Sequence, residues 1–344
     1  MITAIGLREA IIRSIPDAVK TAITPGIGLF ITIIGLKNAG IVISNPATLV
    51  SLVDFSQWKI EGADLALMSS ALVALAGLVI MGMLHARKVK GSILLGIVAA
   101  TLIGIPLGVT HISNLDMNIG MKFRDFAEVS FMKMDFAGLF SGANMVETIF
   151  TVTMLVISFS LVNMFDSIGT LLGAAKQSGM IDENGEVIRM KQALMSDAIS
   201  TAAGAMVGTS TVTTVVESSA GIAAGGRTGL TSLVTALMFL GAILFAPIVS
   251  IVPAAATAPA LIFVGILMLG NIRDVDFSDM SNALPAFCTI VFMPFTYSIA
   301  NGVAFGLITY CLMKLTTGRR QDVKILTLAI SVVFVVRYAF MTLG

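Results

Sequence analysis

Charge is what this sequence has least of. Only 12% of its 344 residues are Asp, Glu, Lys or Arg, against about 25% in an ordinary soluble domain. With 56% hydrophobic residues and a mean hydropathy of +0.97, the chain cannot coat a water-facing surface, and it reads as an integral membrane protein. Neither sign of charge dominates. The 21 Lys+Arg and 20 Asp+Glu leave a net charge of +1, so there is no basic field for nucleic acid. Two cysteines, Cys288 and Cys311, each sit in an apolar run and offer no disulfide framework. Two histidines, His85 and His111, have no second ligand at metal-binding spacing, and no cofactor is implied. The opening MITAIGLREAIIRSIP does not read as a signal peptide, because Arg8, Glu9 and Arg13 stand where a cleavage site would.

Long apolar runs are what is there. About 20 apolar residues cross a bilayer as a helix. Residues 65–84 and 91–109 do so without a charge, and 148–165 continues in apolar character to residue 175, interrupted by Asp166. Residues 228–252 and 283–299 are further spans; 21–36, 254–269, 302–313 and 325–336 are shorter cores, and 193–224 is apolar but chemically odd. The total is about ten or eleven crossings. Basic residues cluster in the 85–91 turn, HARKVKG, in 314–324 with Arg319 and Arg320, and at Arg227. Counting spans between them puts all three on one side with Arg8 and Arg13, and that side is cytoplasmic. The connections 38–64 and 110–147 fall outside. Within the second, 121–142 interleaves five phenylalanines with charges, which suits either the membrane interface or a folded external loop.

Two acids stand at membrane depth, where an ionised side chain costs about 2.5–3.5 kcal/mol or more. Asp166 lies in LVNMFDSIGTLLG, and Glu217 is the only charge between Asp197 and Arg227. No base lies within a helical turn of either, so each is protonated, faces a polar cavity or binds something. Asp197 follows Arg189 and Lys191 and reads as a helix-end acid favoured by the N-terminal dipole. Residues 210–216, STVTTVV, favour extended backbone over helix, and Glu217-Ser218-Ser219 suits a helix start. A short strand becoming a half-helix at Glu217 fits, as broken helices do in secondary transporters; a kinked continuous helix is the alternative.

These residues resemble the nucleobase–cation symporter 2 family, in its azaguanine-type branch of adenine/guanine/hypoxanthine permeases. The resemblance runs through REAIIRSIP (8–16), PGIGLFITIIGLKNAGI (25–41), FDSIGTLLG (165–173), GTSTVTTVVESSAGIAAGGRTGLTS (208–232), TAPALIFVGILM (257–268) and LPAFCTIVFMPFTYSIANG (284–302). It implies an all-α polytopic fold of two inverted seven-segment repeats, with a core domain carrying substrate between two short strands and a gate domain opposite. On that pattern 1–111 holds first-repeat gate helices, 112–146 an external connection, 147–252 second-repeat core helices and 253–344 second-repeat gate helices. The aliphatic-Pro pairs opening 15–21 and 252–258 are what remains of the internal symmetry. REAIIRSIP follows the fourth segment in the family, so the chain is expected to lack the first four segments, including the opposing strand.

By the same resemblance Asp166 and Glu217 bind the base ring and couple the proton. Thr170 faces the site, and the Val216–Glu217 peptide offers backbone donors. The implied function is proton symport of purine nucleobases across the cytoplasmic membrane by alternating access, in a lipid bilayer and without nucleic acid. The oligomeric state is open, a homodimer among the options. Competing readings are an inactive or trans-dependent truncated permease, or an anion transporter or channel of the same architecture, which would place bases rather than acids at its site. An intramembrane aspartyl hydrolase needs two matched acids sharing a proton, whereas these stand in dissimilar contexts.

Overall fold

The computed structural model describes residues 14–56, 65–111, 124, 126–135, 138, 148–149, 152, 156, 160, 163, 167, 170–171, 174–175, 178–182, 187–215, 218–223, 225–245 and 251–343. Helices dominate them. In chain order these are α1 (Asp17–Asn38), α2 (Leu65–Ala86), α3 (Ser92–Gly104), α4 (Met190–Val207), α5 (Ser218–Ala223), α6 (Gly229–Ala242), α7 (Ala254–Leu269), α8 (Met280–Phe295), α9 (Ile299–Thr316) and α10 (Ile325–Leu343). Among the described residues, three apolar helical stretches are long enough to cross a membrane: Asp17–Asn38, Ala66–Ala86 and Ala254–Asp274. Every described residue from 148 to 178 is helical.

Several boundaries differ from the expected spans, each for a local reason. The apolar run 91–109 stops being helical at Gly104, two residues before Pro106, whose ring removes a backbone donor. The run 228–252 leaves the α-helix at Ala242 and tightens into a 3₁₀ turn over Ile243–Phe245. Inside the expected span 283–299 the helix ends at Phe295, Tyr297 takes φ +53°, and Ser298 caps α9 by accepting from the Asn301 N–H. The fold is also not purely helical. The connection after α1 holds a hairpin of β1 (Val42–Asn45) and β2 (Leu49–Leu52), paired antiparallel. Its tip is shaped by the Asn45 side chain, which accepts from the Ala47 and Thr48 N–H groups.

The chain divides into two compact units. In the unit formed by Ile27–Ile119 and Leu233–Gly270, α2 packs on α3 and α7, and α7 also packs on α3. Lipid gives helices no hydrophobic reason to associate, so close packing of small residues must do it. Val73, Ala100, Ala255 and Ala256 form one buried cluster; Met68, Ala71, Ala74 and Ala258 join the hairpin's Ile41 and Val53 in another. The tightest approach is between α1 and α7. A β-carbon built on Gly28 would sit 2.9 Å from the Gly265 carbonyl oxygen, and one on Gly265 would sit 2.6 Å from the Gly28 carbonyl oxygen and overlap the Thr32 hydroxyl. The contact is reciprocal, and each glycine stands twelve residues beyond its aliphatic-Pro pair, at Pro16 and Pro253.

In the other unit, Met1–Gly26, Gly120–Ser232 and Asn271–Gly344, α8 packs along α9 and α9 along α10. Gly302 and Gly306 of α9 lie against Met293 and Thr289 of α8. Phe292, Phe305 and Tyr338 stack in series across α8, α9 and α10, with centroids 4.2 and 5.4 Å apart, and the Tyr338 hydroxyl donates to Asn301 Oδ1 at 2.9 Å. The Thr327 hydroxyl of α10 donates to the Ser14 carbonyl. A polar clasp closes one end. Buried Lys314 donates to Ser281 Oγ at 2.9 Å and lies 3.7 Å from Asp322. Arg319 pairs with Asp279 at 2.6 Å. Asp279 caps α8 by accepting from the Ser281 N–H. That bond first, then the Arg319 guanidinium, lowers its carboxyl to about 2.

Two outcomes follow from this packing. Gly265→Ala should lower the stability of the detergent-solubilised protein by about 1–3 kcal/mol in thermal unfolding, because the added methyl meets backbone. Gly270→Ala, with open space around it, should stay within about 0.5 kcal/mol. For the clasp, the folded pKa of Asp279 is depressed, so its stabilisation is complete above the ordinary value of 3.8 and is lost as pH falls towards 2. The melting temperature of wild type should therefore exceed that of Asp279→Asn by a constant margin from pH 7 to about 4, and the margin should close below that.

Candidate functional site

Helix α4 is the scaffold of the candidate site. It starts after Arg189, which takes φ 59°, and ends at Gly208, φ 81°. Along it Asp197, Thr201, Gly204 and Gly208 recur at spacings of four, three and four, which places them on one face. Beyond Gly208 the chain does not continue as helix: residues 209–215 are non-helical, and α5 begins only at Ser218. The helix is therefore broken rather than kinked. This segment folds back along the α4 stripe. The Thr201 hydroxyl donates to the Val212 carbonyl at 2.8 Å, and a β-carbon on Gly204 would meet Val212 and Thr209. Residues 210–215 have no strand partner among the described residues, so the expected strand is not formed there and the segment carries no regular secondary structure.

A third segment meets the other two through one hydroxyl. Ser167 is fully buried. Its Oγ lies 2.8 Å from Asp197 Oδ1 and 2.8 Å from Thr213 Oγ1, with the Asn163 carbonyl at 2.9 Å. A hydroxyl has one proton to give. The arrangement that satisfies all three side chains has Thr213 donating to Ser167 and Ser167 donating to the Asp197 carboxylate, a chain in which the last link is charge-assisted. Thr170 is buried one turn on, its hydroxyl donating to the Ser167 carbonyl at 3.1 Å. One turn before, Asn163 Oδ1 is buried with no hydrogen-bond partner among the described residues. Asn163, Ser167 and Thr170 share a helix face by their spacing.

Of the residues singled out from the sequence, Thr170 is in this cluster. Asp166, Val216 and Glu217 lie outside the described residues. Asp197 was misjudged. The expectation of a helix-end acid fails because α4 begins at Met190 with no acid in its first turn, leaving Asp197 in the third turn, 6% exposed and hydrogen-bonded. The signal that finds it is the periodic stripe of small and polar residues in an otherwise apolar helix, together with the hydroxyls at 167 and 213. Arg189 and Lys191, the bases near it in sequence, stand before and in the first turn of the same helix.

Buried hydroxyls and a buried carboxylate are thus gathered where a helix breaks, and non-helical backbone in a membrane protein is tolerated only where it is buried in protein or lines a cavity. The xanthine/uracil permease profile matches residues 1–305. The chain belongs to this permease family. It is 39% identical to the adenine permease AdeP of Escherichia coli K12 over 340 residues, which are 99% of this chain and 71% of AdeP. It is 36% identical to the guanine/hypoxanthine permease PbuO of Bacillus subtilis 168, covering 96% of this chain and 72% of PbuO. The nucleobase transporter PlAzg2 of Paenibacillus larvae is 30% identical, over 90% of this chain and 57% of that protein. The protein is thus a multi-pass membrane permease and not an enzyme.

The hydroxyl chain of this permease carries a measurable load. Ser167→Ala removes a hydrogen bond to the buried Asp197 carboxylate, which should cost about 1.5–3 kcal/mol in thermal or denaturant unfolding of the solubilised protein. Thr201→Ala, which removes one neutral hydrogen bond, should cost about 0.5–1.5 kcal/mol. Equal losses from the two would mean that the Asp197 link is no stronger than an ordinary one.

Proposed function

We propose that this permease carries purine nucleobases together with a proton across the cytoplasmic membrane, and that Asp166 and Glu217 grip the base. The observation that carries the reading is the Thr213–Ser167–Asp197 hydrogen-bond chain. Ser167 follows Asp166 directly, and Thr213 lies four residues before Glu217. The chain therefore ties together, on one helix, the two segments that bear the acids. The relatives' names supply the substrate class: adenine for AdeP, guanine and hypoxanthine for PbuO.

A neutral purine presents ring N–H donors and ring-nitrogen or carbonyl acceptors. A carboxylate accepting from two such N–H groups makes charge-assisted bonds, roughly twice as strong as neutral ones. Thr170 and the Val216–Glu217 peptide would complete the polar lining. A carboxyl buried without a counter-charge holds its proton more readily than one facing water, so alternating exposure of Asp166 or Glu217 to the two sides would load and release a proton with the base. The reciprocal Gly28–Gly265 crossing, with its equal offsets from Pro16 and Pro253, supports α1 and α7 as equivalent members of an inverted repeat, the framework for alternating access.

The test is uptake of radiolabelled adenine, guanine and hypoxanthine into proteoliposomes under an inward proton gradient. Uptake should collapse when a protonophore is added. Glu217→Gln and Asp166→Asn should each weaken nucleobase binding by about 10- to 150-fold, the worth of one hydrogen bond to a charged group, with membrane insertion unchanged. Wild-type uptake by both variants would refute the assignment.

A further inference from the structure

The external connection before residue 148 is not simply a tether. Residues Phe126–Ser130 form one π-helical turn, closed by the Phe131 N–H to the Phe126 carbonyl at 3.0 Å and stiffened by an Arg124–Glu128 ion pair at 2.8 Å. Its far end reaches α4. The Met132 N–H donates to the Met206 carbonyl at 2.9 Å, one of the last four carbonyls of α4 that have no partner within the helix. The Ser130 backbone lies flush on Gly208: a β-carbon there would be 2.5 Å from the Ser130 carbonyl oxygen and 2.8 Å from its Cβ. Gly208 is the residue at which α4 ends and the broken segment begins, and its φ of 81° is one that L side chains resist. The turn thus sits on the hinge from which residues 209–215 run towards Glu217. Otherwise it is exposed, with Val129 at 71% and Met132 at 56%. Among the described residues the contact is one backbone bond and a glycine-sized fit beneath an exposed apolar turn, and such a contact belongs to the readily opened end of a structure.

We propose that residues 126–132 are an external strap that leaves its seat on Gly208 in each transport cycle, so that the Gly208 junction is fixed while the strap is seated and shifts when it lifts. This rests on the transport reading above, and two measurements separate the strap from that reading. The first needs no transport. In a background with Cys288→Ser and Cys311→Ser, a Ser130→Cys thiol should react slowly with a membrane-impermeant maleimide, and Gly208→Ala should speed the reaction at least tenfold by unseating the strap. An unchanged rate would overturn the seat. The second joins Met132→Cys to Met206→Cys in the same background. Oxidation should cut adenine and hypoxanthine uptake at least tenfold, with full recovery on reduction, while either single variant keeps its uptake under oxidation. Equal uptake by oxidised and reduced protein would overturn the gating role. If Gly208→Ala speeds labelling but wild-type proteoliposomes take up neither base, the strap's seat stands and the purine reading falls.

Discussion

The structure around the candidate site depends on a single hydroxyl. Ser167 has three oxygen neighbours within 2.9 Å and one proton, so its bonding has a direction: it accepts from Thr213 and gives to Asp197. In a bilayer this matters more than in water, because helices there gain nothing from hiding apolar surface from one another. A buried carboxylate is tolerable only with donors to hold it. Asp197 thus requires the 163–171 segment to lie against α4, and Thr213 requires the broken segment to lie there too. Neither the apolar composition nor helix propensity would bring those three stretches together.

Elsewhere the same constraint is met by shape. Gly28 and Gly265 bring α1 and α7 into backbone contact, and Gly302 and Gly306 do the same for α9 on α8. Such contacts gain dispersion and lose little side-chain entropy, which suits helices that share a solvent with lipid tails. Charges are kept at an end of the helical hairpin. Asp279, Lys314, Arg319 and Asp322 gather where α8 begins and α9 finishes, near water, and there an ion pair orients the elements more than it stabilises them.

The membrane class and most helices were legible in the sequence, because apolar length is a strong and local signal. Helix ends were less so: Pro106 and the Tyr297–Ser298 corner move boundaries by several residues. The break after Gly208 was readable from the Ser/Thr/Val run, since those side chains disfavour helix wherever they stand. The hairpin at 42–52 was missed because its register depends on Asn45 closing a turn, a signal of only a few residues. Asp197 was misread for a different reason. Its neighbours in sequence, Arg189 and Lys191, suggested a helix end, but its partners are Ser167, thirty residues away, and through it Thr213. A long-range hydrogen bond leaves no trace in composition. What it does leave is the α4 stripe of Asp197, Thr201, Gly204 and Gly208, visible only once the helix is known to start at Met190.

That stripe is chemically graded, and the gradient bears on how such a permease could move. At Asp197 the contact is a charge-assisted hydrogen bond between buried groups; at Thr201 it is one neutral bond; at Gly204 it is a backbone bond from the Thr209 N–H beside a close fit to Val212; at Gly208 it is a left-handed cap covered by an exposed turn. Hydrogen bonds to charged groups are the strong ones and break at the highest cost, while a contact of surfaces slides or parts with far less. The broken segment is thus held at both ends, by the Thr213 hydroxyl on Ser167 and by the Gly208 and Thr209 N–H groups, which donate to the Ala205 and Gly204 carbonyls at 3.1 and 3.0 Å.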